Sequence, residues 1–154
     1  MEYRLANRED LPFIVALLAH DELGRLRENY SDPLPQEYYR AFENIDRDPN
    51  QELMVITDEN GQVIGTFQLS FIPYLTYQGG IRAQIEAVRV DEKYRGKGVG
   101  EQAFMWAIAR AKERKAHLLQ LTTDKKRPEA LRFYEKLGFV ATHEGMKLHF
   151  KTST

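Results

Sequence analysis

The stretch VRVDEKYRGKGVG, residues 88–100, determines how this chain is interpreted. A strand pattern ends at Val90, glycines follow at positions 96, 98 and 100, and a helical pattern begins at Val99. Glycine adopts positive φ and lets a ligand approach the backbone closely, and the N–H groups at a helix start bind phosphate oxygens. Further positive charge comes from Lys93, Arg95 and Lys97. The turn is therefore predicted to hold a small polyanionic ligand, although a glycine turn with a purely structural role is the alternative.

Two common nucleotide motifs do not fit this turn. A Walker A loop places a lysine and a hydroxyl residue after its last glycine, but Gly100 is followed by Glu101 and Gln102. A dinucleotide fingerprint requires glycine at the position that Glu101 occupies. Both motifs are excluded by the residues themselves.

The spacing Arg95-x-x-Gly98-x-Gly100 resembles the coenzyme A-binding motif of the Gcn5-related N-acetyltransferase (GNAT) superfamily. A second stretch, ALRFYEKLGF at residues 130–139, resembles a later signature of the same superfamily. The two motifs occur in the expected order, and the resemblance covers nearly the whole chain.

The remaining patterns predict an α/β domain that extends over residues 1–154. Alternation, turn residues and helical spacing favour strands at 3–6, 53–57, 63–71, 81–90, 117–122, 139–140 and 146–150, and helices at 11–19, 36–45, 99–115 and 128–137. The predicted fold is GNAT-like: a mixed, mostly antiparallel sheet of about seven strands flanked by about four helices.

Composition narrows the function classes. The chain has 154 residues and a formal net charge of -1, and its length suits one domain. It has no cysteine, which excludes disulfides, cysteine metal ligands and a cysteine nucleophile. The near-neutral charge argues against a nucleic-acid partner, and no apolar run predicts a membrane span. We therefore expect a cytoplasmic enzyme. We also expect no metal, since the four histidines are scattered along the chain.

The resemblance implies transfer of an acetyl group from acetyl-CoA to an amine by direct attack. Glu86 then falls on the position of a general base, and its apolar strand neighbours predict partial desolvation. Tyr134 falls on the tyrosine that protonates the departing thiolate, since the pKa of a phenol lies near or above that of a thiol. The alternatives are a salt bridge for Glu86 and simple packing for Tyr134.

The resemblance also implies a set of cofactor contacts. The strand before the turn should carry a bulge and separate from its neighbour, leaving main-chain groups free for the pantetheine arm. Arg127 departs from the family, which often has asparagine there, and it either reaches a phosphate or faces solvent. The predicted cofactor-binding residues are Val88, Arg89, Val90, Arg95, Gly96, Lys97, Gly98, Val99, Gly100, Glu101, Arg127 and Phe133.

The acceptor amine is not specified by any motif. Residues 21–48 carry an acidic excess, which favours a cationic amine of a small molecule or peptide. Candidate acceptor residues are Asp21, Glu22, Tyr30, Asp32, Tyr38, Tyr39, Phe71, Tyr74 and Tyr77. Two alternatives to an acetyl-CoA-dependent transferase stay open: a non-catalytic acyl-CoA sensor, and a transferase that uses another acyl-CoA donor. A homodimer is a further expectation.

Overall fold

A computed structural model describes residues 1–151 of the protein. The chain forms two compact units, which are described separately: unit one, Met1–Leu121, and unit two, which begins at Thr122. The expectation of a single domain stays a prediction. Within residues 1–151, no helix combines the length and the apolar character needed to cross a membrane.

Unit one is built on a five-stranded mixed sheet in the order β1-β2-β3-β4-β5. Neighbouring strands are antiparallel from β1 to β4, and β4 pairs with β5 in parallel. The strands are β1 (Glu2–Leu5), β2 (Gln51–Thr57), β3 (Val63–Pro73), β4 (Ile81–Val90) and β5 (Leu118–Gln120).

A hairpin turn connects β2 to β3, as Asp58–Gly61 predicts. The side chain of Asp58 accepts hydrogen bonds from the N–H groups of Asn60 and Gln62, and Gly61 has a φ of 78°. Glycine tolerates this left-handed conformation, so the turn follows directly from its sequence.

One face of the sheet is covered by α1 (Leu11–Ala19) and α2 (Gln36–Asp46). Leu11, Ile14 and Val15 share one side of α1 and pack with Phe42 of α2 against Val55 of β2. This helical spacing of apolar residues places α1 where the sequence predicts it.

The opposite face is covered by α4 (Val99–Glu113). Trp106 of α4 stacks on Tyr3 at 5.4 Å between ring centroids and lies 5.7 Å from Phe67. Buried Glu52 of β2 accepts hydrogen bonds from Arg110 and Arg114. Between β3 and β4 lies a single irregular turn, α3 (Thr76–Gly79), within the segment predicted to be a loop.

Unit two contains one helix, α5 (Pro128–Lys136), within its described residues. Proline at its first position and Gly138 after its end delimit it as predicted. The predicted strands at 139–140 and 146–150 are absent from the described structure, so the sheet has five strands and not seven. The described residues form five helices and not four, because the short α3 was not predicted. Met146, Leu148 and Phe150 alternate as strand residues do but are 95, 81 and 85% exposed. A strand needs a partner for its backbone groups, and the described part of unit two contains none.

Candidate active site

A β-bulge interrupts β4 at Ala87, whose φ of 55° is left-handed. Glu86 lies opposite Gln68 and Arg89 opposite Thr66, so one extra residue of β4 lies between these two pairs. Because Gln68 and Thr66 share a face, Glu86 and Arg89 also share it. Simple alternation along the sequence groups Val88 and Val90 with Glu86 on one face. That grouping is wrong, because alternation does not account for the bulge.

β4 also continues beyond its pairing with β5. The parallel pairs end at Gln84 and Gln120, whereas β4 runs on to Val90. The bulge and this separation both agree with the expected shape of the strand. The carbonyl oxygens are not free, however: that of Val88 accepts a hydrogen bond from its neighbour Arg89 at 2.9 Å, and that of Val90 accepts one from Arg95 at 3.4 Å.

The glycine turn contains two residues in the left-handed conformation and open space beside both. Gly96 and Gly98 have φ angles of 75° and 78°, and an added Cβ at either would meet no atom within 4 Å. Gly98 is the N-cap of α4, whose first helical hydrogen bond runs from the N–H of Gln102 to the carbonyl of Gly98 at 3.0 Å. The N–H groups of Val99, Gly100 and Glu101 therefore precede the helical ladder and are the donors that helix starts present to anions.

Around the turn, one apolar side chain is buried and three cationic side chains are exposed. Val99 is buried and fixes the start of α4, while Lys93, Arg95 and Lys97 are exposed. The ammonium of Lys97 lies 5.5 Å from the ring centroid of Tyr94. These cations are placed to add charge to the turn.

Glu86 is exposed, so the expected desolvation of its carboxylate is wrong. Its Oε1 accepts a hydrogen bond from Nε2 of Gln84, whose Oε1 in turn accepts one from Nε2 of Gln120 at 2.8 Å. Within residues 1–151 Glu86 has no ion pair, which removes the salt-bridge alternative there. The carboxylate is thus held from one side by an amide relay and is open on the other.

An ion pair joins the bulged strand to the segment after α1. Arg89 reaches Asp21 at 3.2 Å, and the two side chains are only 16 and 14% exposed. Asp21 was an acceptor candidate, but its charge is already compensated by Arg89. Among the other acceptor candidates, Phe71 is buried on the α4 face beneath Arg114, 4.1 Å from the ring centroid, so it cannot line an acceptor site on the face of Glu86.

Unit two holds the remaining predicted residues. Tyr134 and Phe133 are half-buried on α5, with ring centroids 5.5 Å apart, and Tyr134 also contacts Phe139 at 6.1 Å. Arg127 is the N-cap residue of α5.

Sequence reasoning missed the polar residues that surround Glu86. Gln84 could have been found, because strand alternation places it on the face of Glu86. Gln120 could not, because its proximity depends on the register between β4 and β5. Arg82, on the same face, was also not predicted.

Comparison with known proteins identifies the class. Residues 20–139 match the Acetyltransferase (GNAT) family. Aminoalkylphosphonate N-acetyltransferase of Salmonella typhimurium is 30% identical over 142 residues, covering 92% of this chain and 86% of that protein. The chain therefore belongs to the GNAT family and is an N-acetyltransferase.

Two solved structures share its fold. A protein from Bacillus halodurans C-125, described as a transcriptional regulator, has 55% identity and a TM-score of 0.93, covering 97% of this chain and 99% of that one. A protein from Clostridium acetobutylicum, described as a predicted acetyltransferase and solved with acetyl-CoA, has 26% identity and a TM-score of 0.72. The match covers 96% of this chain and 95% of that one.

Proposed function

We propose that the protein transfers an acetyl group from acetyl-CoA to a primary amine of a small molecule or peptide. The observation that carries the proposal is the open glycine turn at the start of α4, which directly follows the bulged and separated end of β4. Membership of the GNAT family, which uses acetyl-CoA, supports this donor. A cytoplasmic location and a homodimer stay predictions.

Donor binding is assigned to the backbone of the turn. N–H groups from Gly96 to Glu101 bind the diphosphate of acetyl-CoA, and the exposed side chains of Lys97 and Arg95 neutralise its charge. The pantetheine arm lies along residues 88–90, where it competes with the arginine side chains for the strand carbonyls. Phe133 and Arg127 are the remaining residues proposed to bind acetyl-CoA.

The proposed chemistry is direct attack. Glu86 accepts a proton from the acceptor ammonium, directly or through water, and the amine nitrogen forms a bond to the thioester carbonyl carbon. The N–H near Val88 stabilises the oxyanion. The carbon–sulfur bond then breaks, and Tyr134 donates its phenolic proton to the thiolate. The nitrogen loses its second proton as the amide forms, and this proton restores the phenol of Tyr134.

The aminoalkylphosphonate relative supports a small molecule as the acceptor rather than a peptide. That protein is named for an amine of low molecular weight, and it matches this chain over most of both lengths.

Release of coenzyme A thiol tests the proposal. We expect thiol release from acetyl-CoA that depends on added amine, with the acetylated amine detected by mass spectrometry. Release that does not require any amine, or no release across small-molecule and peptide amines, contradicts it. Repeating the assay with succinyl-CoA distinguishes the acetyl donor from another acyl-CoA.

A further inference from the structure

Half-buried arginines in unit one are paired with carboxylates, with one exception. Arg4 binds Asp10, Arg89 binds Asp21, and both Arg110 and Arg114 bind Glu52. Arg82 is half-buried as well, yet it has no carboxylate partner within residues 1–151. A cation withdrawn from water without an anion is unfavourable, so this arginine requires another explanation.

The surroundings of Arg82 are rich in hydrogen-bonding groups. Its guanidinium carbon lies 5.2 Å from the ring centroid of Tyr74, and its buried Nε has no hydrogen-bond partner among the residues that the structure describes. The hydroxyl of Tyr74 is hydrogen-bonded to Nε2 of exposed His117, and the two rings stack at 5.6 Å. A guanidinium, an imidazole and a phenol therefore meet at the end of β4 that lies away from the glycine turn.

This cluster shares a sheet face with Glu86. Arg82, Gln84 and Glu86 are successive residues on one side of β4, in the regular part of the strand before the bulge. Their Cα atoms extend over about 13 Å, because a strand rises about 3.3 Å per residue. The guanidinium of Arg82 lies beside Tyr74, so an acceptor that contacts both this cluster and Glu86 needs a chain of several atoms between its two ends. The diphosphate of acetyl-CoA does not compete for Arg82, because the glycine turn that binds it follows the other end of β4.

We infer that Arg82, with Tyr74 and His117, binds an oxyanion of the acceptor, and that the acceptor is an amine carrying a phosphonate or phosphate monoester group. The hydroxyl of Tyr74 and Nε2 of His117 use one donor on each other, so the cluster offers the guanidinium and the remaining donor of this pair. A tetrahedral dianion accepts from both at once, which it does more readily than a single carboxylate. The amine end of such an acceptor lies at Glu86. This inference rests on the proposed function, since it names the acceptor class of that site.

Matched pairs of amines test the inference. The pairs are 2-aminoethylphosphonate with ethylamine, 4-aminobutylphosphonate with butylamine, and phosphoethanolamine with ethanolamine. We expect a higher kcat/KM for the phosphorylated member of at least one pair. Arg82→Gln should reduce that preference about 10- to 100-fold, which is the usual effect of losing a hydrogen bond to a charged group. Arg82→Lys should retain part of it.

Arg40→Gln is the control, because Arg40 is an exposed arginine on α2 and its loss changes the net charge equally. It should leave the preference as it is in the wild type. No preference in any pair, or a preference that survives Arg82→Gln, overturns the inference.

A binding measurement separates this inference from the proposed function. Line broadening of the 31P signal of 2-aminoethylphosphonate reports binding in the presence of coenzyme A, whether or not turnover occurs. Broadening that Arg82→Gln abolishes supports the oxyanion site even if no amine is acetylated. Equal broadening with wild type and variant, or none with either, contradicts the site, whatever the outcome of the activity assay.

Discussion

Two charged sites, one on each face of the sheet, differ in how completely their charges are paired. On the face beneath α4, buried Glu52 is held by two arginines, with its Oε2 2.6 Å from Arg110 and 3.0 Å from Arg114. On the other face of the neighbouring strands, Glu86 is exposed and Arg82 has no carboxylate partner among residues 1–151.

This difference separates stability from function. Removing one partner from a buried carboxylate whose charge is fully paired is costly to the folded state. Charges without complete partners do not add to stability, and they are available to a ligand. Substitutions on the two faces should therefore change different measured quantities.

Glu86→Gln is expected to have the largest effect, on rate alone. Removing the proton acceptor should reduce kcat about 10²- to 10⁴-fold, the usual contribution of a general base. The affinity for acetyl-CoA and the melting temperature should remain those of the wild type, because the side chain is exposed. Thiol-release kinetics together with thermal unfolding give both quantities. A variant with full rate and an unchanged pH–rate profile removes Glu86 as the base.

Glu52→Gln should have the converse effect, on stability. It leaves Arg110 and Arg114 without their carboxylate, and breaking such a buried pair costs about 3–5 kcal/mol in the free energy of unfolding. Denaturant unfolding measures this loss. If the free energy of unfolding is unchanged while kcat falls, the assignment of the two faces is wrong.

The pH dependence of unfolding sharpens this comparison. Burial acts to raise the pKa of Glu52, but the hydrogen bonds and charges of the two arginines outweigh it, so the pKa lies below its ordinary value. The stabilisation is therefore complete above the unfolded-state pKa of about 4.3 and is lost as the pH falls through the lower folded-state value. The wild type should lose more stability than Glu52→Gln on acidification through that range.

Gln84→Leu should have the smallest effect. It removes the amide that donates to Oε1 of Glu86, while leucine has a similar size, so the carboxylate loses orientation but not charge. We expect a decrease in kcat of about 2- to 10-fold, the equivalent of one ordinary hydrogen bond. Gln120→Leu, one bond further from the carboxylate, should decrease kcat less. Equal effects of the two substitutions contradict a relay that ends at Glu86.

Features set by neighbouring residues could be predicted from the sequence. Glycines at 96 and 98 indicated the left-handed turn, Asp58–Gly61 indicated the hairpin, and Pro128 indicated the start of α5. Each of these depends on the φ angles or caps of a few adjacent residues.

Features that depend on pairing between strands could not be predicted. The bulge at Ala87 reverses the faces of the residues after it, and nothing in the local alternation signals an inserted residue. The relay through Gln120 needs the register of β4 and β5. The apolar alternation at 146–150 describes a segment that is able to pair, but the described part of unit two offers it no partner strand.

The central claim is that the glycine turn binds acetyl-CoA. Calorimetric titration with acetyl-CoA tests it most directly, with Gly98→Ala and Gly61→Ala as a matched pair of variants. Both glycines have a φ of 78° and open space around the missing Cβ, so each substitution imposes the same backbone strain, about 1–2 kcal/mol. We expect the wild type and Gly61→Ala to bind acetyl-CoA equally. Gly98→Ala should bind about 10- to 100-fold more weakly, because its methyl group displaces a phosphate from charge-assisted hydrogen bonds. Equal affinities of the two variants, or no binding by the wild type, would contradict the account.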